Sequence, residues 1–226
     1  MSFPQLEVLP LLRSFHLQGF YPEHNAISLP FSRSPRLTQL SWPYPCGLPT
    51  DTQIPWSQIS HLCLTSNMMF FVVLETIRLC PQLEAFKTYL ITEDHGDHLP
   101  TTVENRCLRT LEISFHADCG PFLDLLVLPK LREFCLLCPM PSGISGCDAF
   151  LAFLTRSNCK LNKLVLRHCA FEPFIECLEQ ESFKSIQELK IWSSPKLTND
   201  ELICLTVSSS SPAPRVLLPK LTHLKL

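Results

Sequence analysis

The phrase Leu-x-x-Leu-x-Leu, with close variants, recurs nine times along 226 residues, and few folds are open to a chain punctuated in this way. It begins at Leu12, Leu37, Ile59, Leu83, Leu108, Leu131, Leu161, Ile186 and Leu221. Successive starts lie 25, 22, 24, 25, 23, 30, 25 and 35 residues apart. A period of this length marks an array of like units, each too small to bury its apolar edge alone and sheltering it against the next. The expectation is a single continuous domain over residues 1–226, although the length alone would also permit two ordinary domains.

Within the phrase, positions one, four and six are apolar and the residues between them are mostly polar. Alternation over the last positions is a strand signal. Strands stacked about 4.8 Å apart would make a ribbon on the order of 40 Å long. The rest of each period is a return segment. From Met68 to Leu79, the residues Met69, Val72, Val73, Thr76, Ile77 and Cys80 recur at helical spacing, and Cys80-Pro81 stops the helix. A second helix is expected over Asp148 to Thr155, with Phe150, Leu151, Phe153 and Leu154 turned inward. A third starts near Pro173 and buries Phe174, Cys177 and Leu178, and a fourth follows Thr198, which forms a capping box with Glu201. Pro121 to Leu128 reads as a shorter helix. Between Leu17 and Ile59 the prolines at 22, 30, 35, 43, 45, 49 and 55 forbid long helices and predict extended or turn-rich returns.

An apolar fraction of 46% against 18% charged residues belongs to a core-forming chain. A net charge of −2 speaks against a broad nucleic-acid footprint. The start MSFPQLEVLPLLRSF has neither the basic region nor the cleavage site of a secretory signal, and the apolar stretch Met68 to Leu74 is too short to span a bilayer. Several of the twelve cysteines sit in or beside apolar repeat positions, such as Cys63, Cys80 and Cys135. They read as reduced thiols packed as small hydrophobes in a cytoplasmic or nuclear protein.

Three segments carry residue types with chemistry of their own. Glu93-Asp-His-Gly-Asp-His98 offers carboxylates and imidazoles that a divalent metal accepts, but Gly96 and Pro100 break the helix that would align His95 with His98. It reads as a solvated loop. Cys135-Leu-Leu-Cys138 has the spacing of a zinc or redox pair, yet no second pair stands at matching spacing. Cys135 is expected to point away from the core and Cys138 to sit at a strand end. Val207 to Arg215, VSSSSPAPR, reads as a surface insertion whose serines 208–211 include a Ser-Pro phosphorylation candidate. No phosphate loop, GxSxG, GxGxxG or HExxH occurs, so the sequence predicts no catalytic residues, no cofactor and no metal, and not an enzyme.

The period and phrase are those of leucine-rich repeats. Leu161 to Phe171, LNKLVLRHCAF, resembles the cysteine-containing repeat LxxLxLxxCxF, with Cys169 at the cysteine position. LTNDEL at 197–202 is similar to that family's helix start, and CPQLEAF, LPKLREF and LPKLTHL resemble its lead-in to the strand. Together with PWSQISHLCL at 55–64, these features resemble the repeat region of F-box proteins of the fungal type over nearly the whole chain. The F-box itself, a helical module with a Leu-Pro-x-Glu-like opening, has no counterpart here.

The resemblance implies an α/β fold, a leucine-rich-repeat solenoid of about nine repeats. Its curved parallel sheet would line the concave face, with helices and irregular returns on the convex face. Without polar caps at either end, the domain is expected to be truncated at both. The polar residues between the leucines would then form the concave row: His16, Gln39, His61, Lys87, Glu112, Glu133, Lys163, Glu188, Lys190, His223 and Lys225. Their charges alternate in sign from repeat to repeat. Among them His61, Lys87, Glu112, Glu133, Lys163 and Lys190 are the candidate contact residues for a protein target, with neither nucleic acid nor membrane as partner. The function implied is substrate recognition for a ubiquitin ligase, with a cullin-type ligase adaptor as partner only if an F-box exists. The alternative is a free-standing repeat scaffold or inhibitor.

Overall fold

The computed structural model describes residues 9–16, 31, 34–42, 54–92, 101–115, 118–138, 147–169, 178–192, 205 and 217–226. It is a mixed α/β structure built around one large parallel sheet. The strands are β1 (Ser14–His16), β2 (Gln39–Trp42), β3 (His61–Leu64), β4 (Met68–Met69), β5 (Ala85–Thr92), β6 (Val103–Glu104), β7 (Thr110–Phe115), β8 (Leu126–Val127), β9 (Glu133–Leu137), β10 (Lys163–Arg167), β11 (Glu188–Trp192) and β12 (His223–Lys225). The helices are α1 (Phe70–Leu79), α2 (Gly120–Asp124) and α3 (Cys147–Ser157).

Nine strands follow one another across the main sheet in the order β1-β2-β3-β5-β7-β9-β10-β11-β12, every neighbour parallel, and β4 pairs with β5 off this path. Each of the nine begins two residues after a phrase start. Within the phrase the register is constant, shifting only beyond it between Thr88 and Ile91 of β5, so fourth-position residues Phe15, Leu40, Leu62, Phe86, Leu111, Phe134, Leu164, Leu189 and Leu224 form one row across the sheet.

One hydrogen-bond motif holds that register at all eight steps. The second-position carbonyl of each phrase accepts two backbone N–H groups from the second and third positions of the next. The acceptors are Arg13, Thr38, Ser60, Glu84, Arg109, Arg132, Asn162 and Gln187, at 2.7–3.1 Å. The lead-ins have an equally local cause. Ser34-Pro35, Cys80-Pro81, Leu128-Pro129 and Leu218-Pro219 each start a turn closed by the leucine N–H three residues on, at 3.0–3.1 Å. Proline favours the second position of such turns because its φ is already set there.

First-position side chains from Leu37 to Ile186 are fully buried, and the fourth and sixth positions of the same phrases line the same core, whereas Leu224 and Leu226 of the last phrase are exposed. Return segments cover that side. Phe134 stacks on Phe150 of α3 at 5.3 Å between ring centroids, and Phe115 meets Phe122 of α2 edge-on at 5.2 Å. Alternation then sends the third and fifth positions to the opposite side of the sheet. Polar side chains of the returns reach one unit back. Gln58 donates to the carbonyls of Ser34 and Leu37, Arg156 to those of Leu123 and Leu126, and Ser185 to that of Leu161.

Several expectations are corrected. The helix expected from Met68 begins at Phe70. Met68 and Met69 instead pair with β5, which leaves Met69 47% exposed, not inward. Leu74 takes a buried place beside Val72, Val73, Thr76 and Ile77. The short helix expected over 121–128 stops at Asp124, because Leu126–Val127 pairs with Val103–Glu104 in a second, two-stranded parallel sheet. The second helix runs from Cys147 to Ser157 and ends at Asn158, whose φ of 47° is a left-handed position that asparagine tolerates. Of the proline-rich returns, the described part at Trp56–Gln58 is a 3-10 turn. The helix starts at Pro173 and Thr198, the acidic-histidine segment at 93–98 and the serine stretch at 207–215 lie outside the described residues.

Candidate functional site

The side of the sheet away from the helices carries two rows of side chains. The third-position row reads Ser14, Gln39, His61, Ala85, Thr110, Glu133, Lys163, Glu188 and His223. The fifth-position row reads His16, Ser41, Cys63, Lys87, Glu112, Cys135, Val165, Lys190 and Lys225. The candidate residues therefore occupy two parallel rows and not one, and every one of them is partly or fully exposed.

Five of the six candidates form ion pairs, four of them across neighbouring strands. Lys87 lies directly opposite Glu112, with Nζ 2.8 Å from Oε1. Lys163 sits between its two register neighbours, 3.7 Å from Glu133 and 3.4 Å from Glu188. Lys190 pairs with Glu188 two residues earlier on the same strand. Half-exposed pairs of this kind contribute about 0–1 kcal/mol each, so their main effect is to fix side-chain positions. His61 stands apart, at the neutral end of the face, with Nδ1 2.9 Å from the Ser60 hydroxyl.

The electrostatics follow from these contacts. Burial pushes Lys87 toward deprotonation, but hydrogen bonds to Glu112 and Tyr89 outweigh it and hold the ammonium above its ordinary range. Glu188 is held below the usual carboxylate range, chiefly by its hydrogen bond to Lys190 and then by Lys163. Burial lifts the half-buried thiols of Cys63 and Cys135 above the ordinary cysteine value, opposite to what activates a nucleophile.

Glu112, Glu133, Lys163 and Lys190 line a hollow together with Cys135, Val165, Arg167 and Trp192. Arg167 and Trp192 are additions that the hexad pattern did not reveal. They occupy the seventh position, one beyond the phrase, and oppose each other in register. The signal for them is the parity of the strand: a seventh residue shares its side with the third and fifth. The expected alternation of sign also fails at the last step, where Lys190 lies opposite Lys225.

Cys135 and Cys138 do not form a pair. Cys135 belongs to the outward row, as expected, whereas Cys138 is buried, and its thiol hydrogen-bonds with those of Cys119 and Cys169. Cys169 in turn donates to the carbonyls of Leu136 and Arg167. Cys63, Cys80, Cys107, Cys119, Cys135, Cys138, Cys159 and Cys169 are free, and among the described residues no group of three or more His, Cys, Asp or Glu side chains is placed to hold a metal ion. No described helix is long and apolar enough to cross a membrane. No family model matches the sequence, and neither a curated protein nor a solved structure shows a significant match to it.

Proposed function

We propose that the chain is a leucine-rich-repeat solenoid whose outward sheet face recognises a protein, in the manner of the substrate-recognition repeats of F-box proteins. The observation that carries this reading is the pair of side-chain rows, held in register across nine parallel strands and left uncovered by the described parts of the return segments. Supporting the repeat assignment are the coincidence of every strand with a phrase and the double N–H motif repeated at each step. A stack of rungs offers an extended surface, and ordered ion pairs of both signs suit a protein better than a phosphate backbone. The repeats would contribute affinity and geometry, while ubiquitin transfer would be performed elsewhere.

The test compares full-chain variants. Lys87→Glu with Lys163→Glu alters the face, and Arg78→Glu with Lys184→Glu alters the return segments. A captured partner, repurified and measured against both, is expected to bind the face variant at least about tenfold more weakly and the return variant unchanged. Partners that bind both variants alike would overturn the reading. Recovery of a cullin-ligase adaptor by the complete gene product would support the ubiquitin role, and its failure to bind would favour a free-standing scaffold.

A further inference from the structure

Charge on the outward face is not evenly balanced along its length. From β1 to β3 the outward residues are Ser14, His16, Gln39, Ser41, His61 and Cys63, and from β5 to β7 Lys87 and Glu112 balance one another. Across β9 to β12, four cations (Lys163, Arg167, Lys190 and Lys225) face two carboxylates (Glu133 and Glu188). This end therefore has a surplus of two positive charges in a chain whose net charge is −2.

The surplus is localised. Lys163 and Lys190 share the two carboxylates. Arg167 and Lys225 pair with no carboxylate among the described residues and lean instead on Trp192, the guanidinium carbon 4.2 Å and the ammonium nitrogen 5.3 Å from the ring centroid. Contact with a π face attracts a cation without using its N–H donors. Lys225 also lies opposite Lys190, and like charges opposed across a sheet repel. An anion laid between them would remove that repulsion and gain the free donors.

We propose that this end of the face receives an acidic protein segment, its carboxylates set across Arg167 and Lys225 and the aliphatic stem of one acidic side chain resting on Trp192. The proposal rests on the protein-recognition reading above and narrows it to a class of partner. A nucleic-acid backbone fits less well, because Glu133 and Glu188 stand among the cations and would oppose a continuous run of phosphates. The hollow beside Arg167 and Trp192 supplies room for a side chain, and Val165 supplies an apolar wall.

The probe is a fluorescein-labelled peptide of alternating glutamate and alanine, offered to the full chain beside a lysine-alanine counterpart and an oligouridylate. Trp42 and Trp56 are buried, so a change in intrinsic fluorescence on binding reports Trp192 and is expected to vanish in Trp192→Phe. The glutamate peptide is expected to bind more tightly than either competitor, with affinity falling as salt rises. Arg167→Gln with Lys225→Gln is expected to weaken it at least about tenfold. Lys225 is exposed on the last strand, so Lys225→Gln alone gives a variant that folds whatever the double variant does, and it should show part of the loss. Failure of the glutamate peptide to bind, equal or tighter binding of a competitor, or affinity indifferent to Lys225→Gln would each overturn the proposal. If a natural partner depends on Lys87 and Lys163 but is not displaced by the glutamate peptide, the acidic-segment proposal falls and the protein-recognition reading stands.

Discussion

The Asn105 side-chain amide nitrogen lies 2.9 Å from the carbonyl oxygen of Cys80, beneath the last turn of α1 and one unit earlier in the sequence. The same nitrogen donates to Ile77 at 3.3 Å, and the side-chain oxygen accepts from the backbone N–H groups of Cys107 and Leu108, both at 3.0 Å. One buried side chain thus closes the carboxyl end of a helix and orders the approach to the next strand. Helix ends leave their final carbonyls without the usual intrahelical partners, and Asn105 adds a donor to two of them beside the backbone N–H groups of Cys80 and Leu83.

Asn105→Ala should therefore cost far more than a surface substitution. It leaves the backbone amides of Cys107 and Leu108 unpaired, each at about 1–3 kcal/mol, and takes a second donor from the Ile77 and Cys80 carbonyls, for a total on the order of 3 kcal/mol after relaxation. Urea unfolding followed by circular dichroism measures it. A loss below about 0.5 kcal/mol would show that water replaces the side chain and that the link between units is not structural.

Leu164→Asp and Leu189→Asp place a charge where the native side chain is fully buried between neighbouring strands. Neither site has a cation placed to pair with it among its core neighbours, so each variant should lose about 4 kcal/mol or more and unfold adjacent units. Lys87→Ala removes only a half-exposed ion pair and should change stability by less than about 1 kcal/mol. Thermal melts of the three variants in parallel test the assigned parity, and the reverse order would contradict it.

Thr88 occupies a sixth position, in register with Ile113, and its buried hydroxyl has no hydrogen-bond partner among the described residues. Replacing it by valine keeps the shape and removes an unsatisfied polar group. Thr88→Val should raise stability by roughly 1 kcal/mol, read as a higher urea midpoint at unchanged slope. A lower midpoint would mean that the hydroxyl has a partner in solution.

The nine strands were legible because each phrase carries its own parity and most are preceded by local turn chemistry, as at Cys80-Pro81 and Leu128-Pro129. The returns were harder. Met68 and Met69 suit a helix as well as a strand, and only the presence of Ile91 and Thr92 on β5 decides the matter. Likewise Leu126-Val127 continues an apolar helical pattern until Val103-Glu104 offers it a parallel partner from an earlier unit. The outward charges were legible one by one, but their pairing depends on which rows they occupy. Arg167 and Trp192 escaped notice because the hexad ends one residue before them. The meeting of Cys119, Cys138 and Cys169 joins three different units, and spacing along the chain does not encode it.

Glu188 makes the face sensitive to acid. Its hydrogen bond to Lys190 and the nearby Lys163 hold the carboxyl below its ordinary value of 4.5 in the folded chain, so the unfolded chain takes up the proton first. Stability contributed by this group is complete above the unfolded value and is lost as the pH falls through the lower folded one. Glu188→Gln should therefore lower stability slightly at neutral pH, by about 1 kcal/mol or less, and flatten the decline of the urea midpoint below about pH 4.5. The variant also leaves Lys190 facing Lys225 without its screening carboxylate, so its neutral-pH deficit should shrink as salt is added. Parallel acid slopes for the variant and the parent chain would show that Lys163 and Lys190 do not hold Glu188 in solution.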